Sequence, residues 1–263
     1  MNNRITNTFD ELKRRGEKAL AAFIIGGDPD IETTEALVLA MAEAGVDLIE
    51  IGIPFSDPVV AENTVMQEAD ARALAAGYTV DKLFDMVKRL REKTNLPLLF
   101  MTYANPIYAY DKTRFMAKCK AVGIDGIIVP DVPFEEKDEF EDECNRHDIC
   151  LISLIAPTSK ERAEKIAREA QGFLYCASPP GVAGGENNAN AEIAELITQV
   201  KKVSPIPCMI GFGISTLEQA RGVAPMADGA IVSSAVVQII AEFGRESAAP
   251  VKDFMTKMKN NLA

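Results

Sequence analysis

Residues 19–53 read ALAAFIIGGDPDIETTEALVLAMAEAGVDLIEIGI, and the alternation inside this stretch decides the fold. An apolar run from Ala19 to Ile25 breaks at the turn residues GGDPD. Ile31 to Ala44 then repeats apolar residues at helical spacing and stops at Gly45. A second apolar run follows, from Asp47 to Ile53. Strand, helix, strand is a βαβ unit, and such units build parallel sheets whose strands are covered on both faces.

The same rhythm continues outward in both directions. Upstream, Thr8 to Arg15 forms a short amphipathic helix with Phe9 and Leu12 on one side, ended by Gly16. Downstream, helical stretches Val65 to Ala76 and Val80 to Lys93 precede a strand at Pro97 to Thr102, and Lys112 to Ala121 precedes Gly126 to Val129. Helix Glu135 to Arg146 leads to strand Ile149 to Ile155, and Lys160 to Ala170 to Phe173 to Cys176. Ala191 to Val203 leads to Pro207 to Ile210, Thr216 to Ala224 to Asp228 to Val232, and two further helices close the chain. Eight strand–helix units over about 250 residues give the size and rhythm of a TIM barrel, with an extra N-terminal helix and extra helices after strands two and eight. A doubly wound sheet is the alternative, but GGDPD is not the GxGxxG turn expected after its first strand. No low-complexity linker divides the chain, so one domain spanning residues 1–263 is expected.

Composition narrows the function. The 263 residues are 48% hydrophobic and carry a formal net charge of -11. That sign argues against nucleic acid or an anionic membrane surface as partner. Cys119, Cys144, Cys150, Cys176 and Cys208 are odd in number and lack a CxxC pair, which points to buried structural thiols in a reducing compartment and to no metal site. The opening MNNRITNTF has no apolar core of a signal peptide, and no stretch reaches the ~18 apolar residues of a membrane span, so a cytoplasmic protein is expected. The acidic run EEKDEFEDE, Glu135 to Glu143, reads as a solvated helix face. His147 is the only histidine, and nothing near it resembles a nucleophile motif, so acid–base chemistry falls to carboxylates.

One carboxylate stands out. On the strand Asp47 to Ile53, Leu48, Glu50 and Gly52 point one way and Ile49, Ile51 and Ile53 the other. Glu50 is thus set among hydrocarbon and must be paired, kept protonated or used. Turn formers Pro54, Ser56, Asp57 and Pro58 follow at once, placing Glu50 near the strand's end.

In a barrel the active site is built from loops at the carboxyl ends of the strands, with phosphate often held after strands seven and eight. GFGIS (Gly211 to Ser215) follows strand seven, where glycines let backbone approach an anion and Ser215 can cap the next helix. Ser233 and Ser234 open a helix after strand eight. Two converging helix N-termini form an anion site without Lys or Arg. The glycine-rich SPPGVAGGEN (Ser178 to Asn187) is placed as a lid, TYANPIYAY offers Tyr103 and Asn105 at the mouth, and Tyr175 can reach the same cavity.

Together GDPD, EIGIPFSDP, TYANPI, PDVPFEE, GVAGGEN and GFGIS, in this order at the ends of successive strands, resemble the tryptophan synthase alpha subunit family across nearly the whole chain. The resemblance implies a TIM barrel that splits indole-3-glycerol phosphate by a retro-aldol step into indole and glyceraldehyde 3-phosphate. The indole would pass to a beta subunit in an alpha2beta2 complex. No cofactor is implied in this chain; pyridoxal phosphate is implied only in the partner. By resemblance Glu50 is the catalytic acid and base, a second carboxylate acts at the ring nitrogen, and Tyr103, Tyr175 and Phe212 bind substrate. Gly184, Gly213, Ser233 and Ser234 hold its phosphate, and Asp57, Pro58, Asn105 and Pro133 face the partner.

The chain departs from the family pattern in three places. Relatives read SDPxADGP or SDPxAEGP, whereas SDPVVAENT is one residue longer. With the extra valine placed before Ala61, Glu62 takes the second carboxylate's place; without a gap Ala61 occupies it and the group is missing. The first placement keeps the AE pair and restores the downstream register, so Glu62 is assigned. Ala183 replaces the lid threonine of GVTG, and Ser233 stands where a glycine usually precedes the phosphate serine. Two other readings follow from these changes: a free-standing lyase, or a weakly active barrel that serves mainly to bind and activate its partner.

Overall fold

The computed structural model describes residues 3–58, 64–157, 159–177, 187–211 and 214–262. Its strands are β1 (Ala19–Ile25), β2 (Leu48–Gly52), β3 (Leu98–Met101), β4 (Gly126–Ile128), β5 (Cys150–Leu151), β6 (Ser153–Ile155), β7 (Leu174–Ala177), β8 (Cys208–Gly211) and β9 (Gly229–Val232). They form one sheet in the order β5-β4-β3-β2-β1-β9-β8-β7-β6, with each pairing parallel. β5 and β6 are two halves of the single strand expected from Ile149 to Ile155, separated by Ile152. The first half pairs with β4 and the second with β7, and the Ile152 amide still donates to the Ile127 carbonyl at 2.9 Å. The sheet therefore closes through the chain itself, giving the eight staves of a TIM barrel.

Strand alternation sorts side chains into two layers. Ala21, Leu48, Leu99, Ile128, Tyr175, Met209 and Ile231 pack together inside the barrel. Leu20, Ile24, Ile49, Ile51 and Phe100 face outward into the layer shared with the helices. Full burial of each of the larger side chains contributes roughly 2 kcal/mol, so the double-sided covering explains why these strands read as continuous apolar runs.

The N-terminal helix, Arg4–Arg15, turns Ile5, Phe9 and Leu12 onto the amino end of the barrel, where the Phe9 and Phe173 rings lie 5.8 Å apart. It begins four residues before the expected Thr8. Asn3 caps it, accepting from the Thr6 amide, and burial of Ile5 gives the extra turn something to pack against. Two helices, Thr64–Ala75 and Val80–Arg91, follow β2, and Ser234–Phe243 and Ala248–Leu262 follow β9, as expected. An unexpected helix, Ala104–Tyr110, follows β3. Asn105 and Pro106 read as breakers, yet Pro106 falls in the first turn, where an amide has no helical partner anyway, and Asp131 accepts from the Ala104 amide at 3.1 Å. The acidic run divides into a 3-10 turn, Phe134–Glu136, and a helix, Asp138–Arg146, that buries Phe140 and Cys144 while Asp138, Glu139 and Asp142 face solvent. The helix expected to begin at Ala191 spans Asn187–Val203.

No helix among the described residues is long and apolar enough to cross a membrane.

Candidate active site

The segment Asp47–Gly52, which contains β2, carries two carboxylates with opposite fates. Asp47, at its amino end, is half-buried and accepts from the Leu20 amide at 2.7 Å and from Lys259 at 2.6 Å, which is how an acid withdrawn from water is ordinarily satisfied. Glu50 is not so treated. It has no accessible surface, and neither carboxyl oxygen finds a hydrogen-bond partner among the described residues. Its register partners are Phe23 on β1 and Leu99 on β3, so its nearest wall is hydrocarbon. With no compensating donor, burial pushes its pKa up to about 8. At neutral pH Glu50 is a carboxylic acid, held near the end of a strand where the barrel opens, and able both to give and to take a proton.

Tyr175, on β7, is a second polar group of the inner layer and is 2% exposed. From β2 to β7 is four staves by way of β1, β9 and β8, and four by way of β3, β4 and the β5–β6 stave, so the two residues stand on opposite walls. Burial first, and the charge of Glu50 second, raise the Tyr175 phenol well above its usual range. The ring lies across Gly211 at the end of β8: a Cβ there would sit 2.3 Å from the phenol oxygen. Gly52 on β2 is covered in the same way by Phe23, whose ring would meet a Cβ at 2.7 Å. Glycine is required at both positions so that an aromatic ring can lie against the backbone inside the barrel.

The rim above β2, β3 and β4 gathers the next set. Phe55 and Tyr103 pack with ring centroids 5.5 Å apart, and Tyr103 leads into helix Ala104–Tyr110. Asp57 and Asn105 are exposed, Pro58 is half-buried and Pro133 is exposed. These four residues follow three strands that are neighbours in the sheet, so they share one side of the barrel mouth.

On the other side, Ser233 and Ser234 follow β9, and helix Ser234–Phe243 presents its first-turn amides at the carboxyl end of the strand. Ser233 is buried and makes no side-chain cap bond, while its carbonyl accepts from Val236 and Val237. The next helix back, Leu217–Val223, is capped by Thr216 and not by Ser215 as expected. Thr216 is extended and forms a capping box with Gln219, whose side-chain oxygen accepts from the Ser215 amide and hydroxyl as well. TLEQ is the sequence signature of that box. Glu62, Phe212, Gly184 and Gly213, with Ala183 and most of the expected lid, lie outside the described residues.

Phe23 was legible in the sequence, since Ala19, Ala21 and Phe23 alternate onto the face that meets Glu50, but its part in lining the site needed the strand register. Asp131, which holds the first amide of the unexpected helix, carries no signal in the sequence because the helix it holds has the sequence of a loop. A cavity of about 460 Å³ at the amino end of the barrel does not compete as a reaction site. Lys18 and Lys201 within it are bound to the Ala227 carbonyl and to Asp228, each at 2.7 Å. Among the described residues no cluster of three His, Cys, Asp or Glu side chains could hold a metal ion.

The chain matches a known family over nearly its whole length. Residues 9–263 fit the family model described as tryptophan synthase alpha chain. The chain is 42% identical over 262 residues to the tryptophan synthase alpha chain of Caldanaerobacter subterraneus, covering 99% of this chain and 100% of the relative. It is 44% identical over 252 residues to that of Geobacter sulfurreducens, covering 94% and 95%. Among solved structures, the tryptophan synthase alpha chain of Legionella pneumophila superposes with a TM-score of 0.90 at 34% identity, covering 100% of this chain and 98% of that one. A chain of tryptophan synthase from M. tuberculosis, solved in an aminoacrylate-bound form, superposes with a TM-score of 0.88 at 29% identity, covering 99% and 100%. The chain belongs to the tryptophan synthase alpha chain family, the alpha subunits of tryptophan biosynthesis.

Proposed function

We propose that this chain cleaves indole-3-glycerol phosphate to indole and glyceraldehyde 3-phosphate and hands the indole to a beta subunit. The reaction breaks the bond between indole C3 and the hydroxyl-bearing carbon of the glycerol chain. C3 must first gain a proton, which leaves positive charge on the ring nitrogen. The adjacent hydroxyl must then lose its proton, so that its electrons form the aldehyde and those of the broken bond restore the aromatic ring. The observation that carries this reading is Glu50: buried, unpartnered and protonated near neutrality, it is an acid before the first step and a base for the second. The proton it gives to C3 is replaced by the one it takes from the hydroxyl, so it ends as it began.

Glu62 is proposed as the second carboxylate, stabilising charge at the ring nitrogen. The aromatic walls supplied by Tyr103 and Tyr175, with Phe212, bind the indole. Its phosphate is assigned to Ser233, Ser234, Gly184 and Gly213, in keeping with the helix N-terminus after β9, where backbone amides favour an anion. Such a site needs no basic side chain, which suits a chain of net charge -11. No cofactor is assigned to this chain, pyridoxal phosphate belonging to the partner alone. Asp57, Pro58, Asn105 and Pro133 are assigned to the partner surface of an alpha2beta2 assembly in the cytoplasm, and their shared side of the rim supports this. The test is release of indole from indole-3-glycerol phosphate by the pure chain, alone and with a beta subunit. Cleavage that rises with the partner supports the reading; no cleavage in either condition overturns it.

A further inference from the structure

The turn GGDPD after β1 carries an ion pair to which nothing above gives a task. Arg72, on helix Thr64–Ala75, sends Nε and Nη2 to the two carboxyl oxygens of Asp28, each at 2.8 Å. Asp28 has no accessible surface, while the Arg72 side chain stays 34% exposed. A carboxylate drawn out of water is costly to keep unless a donor meets it with good geometry. The planar fork of a guanidinium does so at two points and in one orientation, which adds direction as well as energy.

The helix that carries Arg72 needs such a tie. The apolar part of its buried face is Ala69 and Ala73, whose methyl groups offer little area and no shape that interlocks, so packing alone fixes its register poorly. Where it stands matters for the site. Ala69 and Ala73 cluster with Ile25 at the end of β1 and with Val237 in the first turn of helix Ser234–Phe243, and Phe23 packs against the same cluster. Phe23 is the register partner of Glu50, and its ring lies over Gly52 on the same strand. The helix thus backs the aromatic ring that stands beside the reacting acid. Arg72, adjacent to Ala73, grips the turn into which the Phe23 strand runs.

We propose that Arg72 and Asp28 are positioning residues for the reaction: their two-pronged pair sets helix Thr64–Ala75 behind the Phe23 ring and so fixes that ring beside Glu50. The inference rests on the assignment of Glu50 as the reacting acid.

The test uses the full chain and compares Arg72→Met in the wild-type and Phe23→Leu backgrounds, reading kcat and KM for indole-3-glycerol phosphate, thermal melting and, where Phe23 is present, the NMR shifts of its ring. Methionine keeps an apolar stem and removes the fork. In the wild-type background the substitution is expected to move the Phe23 shifts and to lower kcat about ten-fold while KM moves less than about three-fold. In the Phe23→Leu background it should lower kcat less than about two-fold, because the ring through which the pair acts is gone, while melting falls equally in both. If Arg72→Met does not fold, Asp28 being left buried and unpaired, the double variant Asp28→Asn, Arg72→Met makes the same comparison without an orphaned charge. A folded variant with wild-type kcat and wild-type Phe23 shifts overturns the proposal, since the pair then serves stability alone. So does a fall in kcat that is as large in the Phe23→Leu background. If the wild-type chain fails to cleave the substrate, the functional reading falls, and the Phe23 shifts alone decide whether the pair positions the ring.

Discussion

Glu50 on β2 and Tyr175 on β7 stand on opposite walls of the barrel, both buried, and burial keeps both protonated near neutrality; above about pH 8, where Glu50 ionises, its charge adds to burial in raising the phenol. The barrel interior thus carries an acid and a phenol that burial keeps neutral.

The raised pKa of Glu50 makes stability depend on pH. Its folded value of about 8 lies above the ordinary 4.5, so the stability associated with its neutral form is complete below the unfolded value and is lost as pH rises through the folded one. The full shift corresponds to roughly 3–5 kcal/mol at about 1.4 kcal/mol per unit. Urea unfolding of wild type and Glu50→Gln at pH 5 and pH 9 should show the variant gaining on the wild type by an amount of that order. A difference that does not change with pH would mean that Glu50 is ionised or paired when folded.

Gly211 is needed for the Tyr175 ring, since a Cβ would lie 2.3 Å from the phenol oxygen. Gly211→Ala should cost about 1–3 kcal/mol and depress indole release by displacing the ring. In a Tyr175→Leu background the stability cost of the same substitution should shrink. A double-mutant cycle reads the coupling, expected at about 0.5–3 kcal/mol.

The proposed role of Glu62 turns on where one valine is inserted. Glu62→Gln should lower kcat by about a hundred-fold or more, and Ala61→Asp should not raise it. If Ala61→Asp alone changes the rate, the gap belongs elsewhere and the family's second carboxylate is missing from this chain.

Asp57 and Asn105 are exposed on one side of the mouth. Replacing either with Ala should reduce the activation given by a beta subunit several-fold while leaving KM of the isolated chain within about two-fold, as rim residues contribute to docking and not to substrate contact. Titration of activity with the partner measures it.

The barrel was legible because parallel strands covered on both faces leave continuous apolar runs, such as Ala19 to Ile25. Glu50 was legible for the converse reason, as a lone acid in such a run. What escaped was set by contacts between distant segments. Asn3 and Ile5 extend the first helix because the barrel floor receives them. Helix Ala104–Tyr110 forms although its sequence suggests a loop, because Asp131, 27 residues away, holds its first amide. The split of the fifth strand at Ile152 likewise reflects two neighbours, β4 and β7, sharing one strand.

The most direct test of the account is indole release by Glu50→Gln. Glutamine keeps the size of the side chain and cannot exchange the proton, so single-turnover cleavage of indole-3-glycerol phosphate should fall by about a thousand-fold or more, with unchanged circular dichroism and undiminished melting temperature at pH 8. Turnover within about ten-fold of the wild type would contradict the assignment of Glu50 as the acid and base.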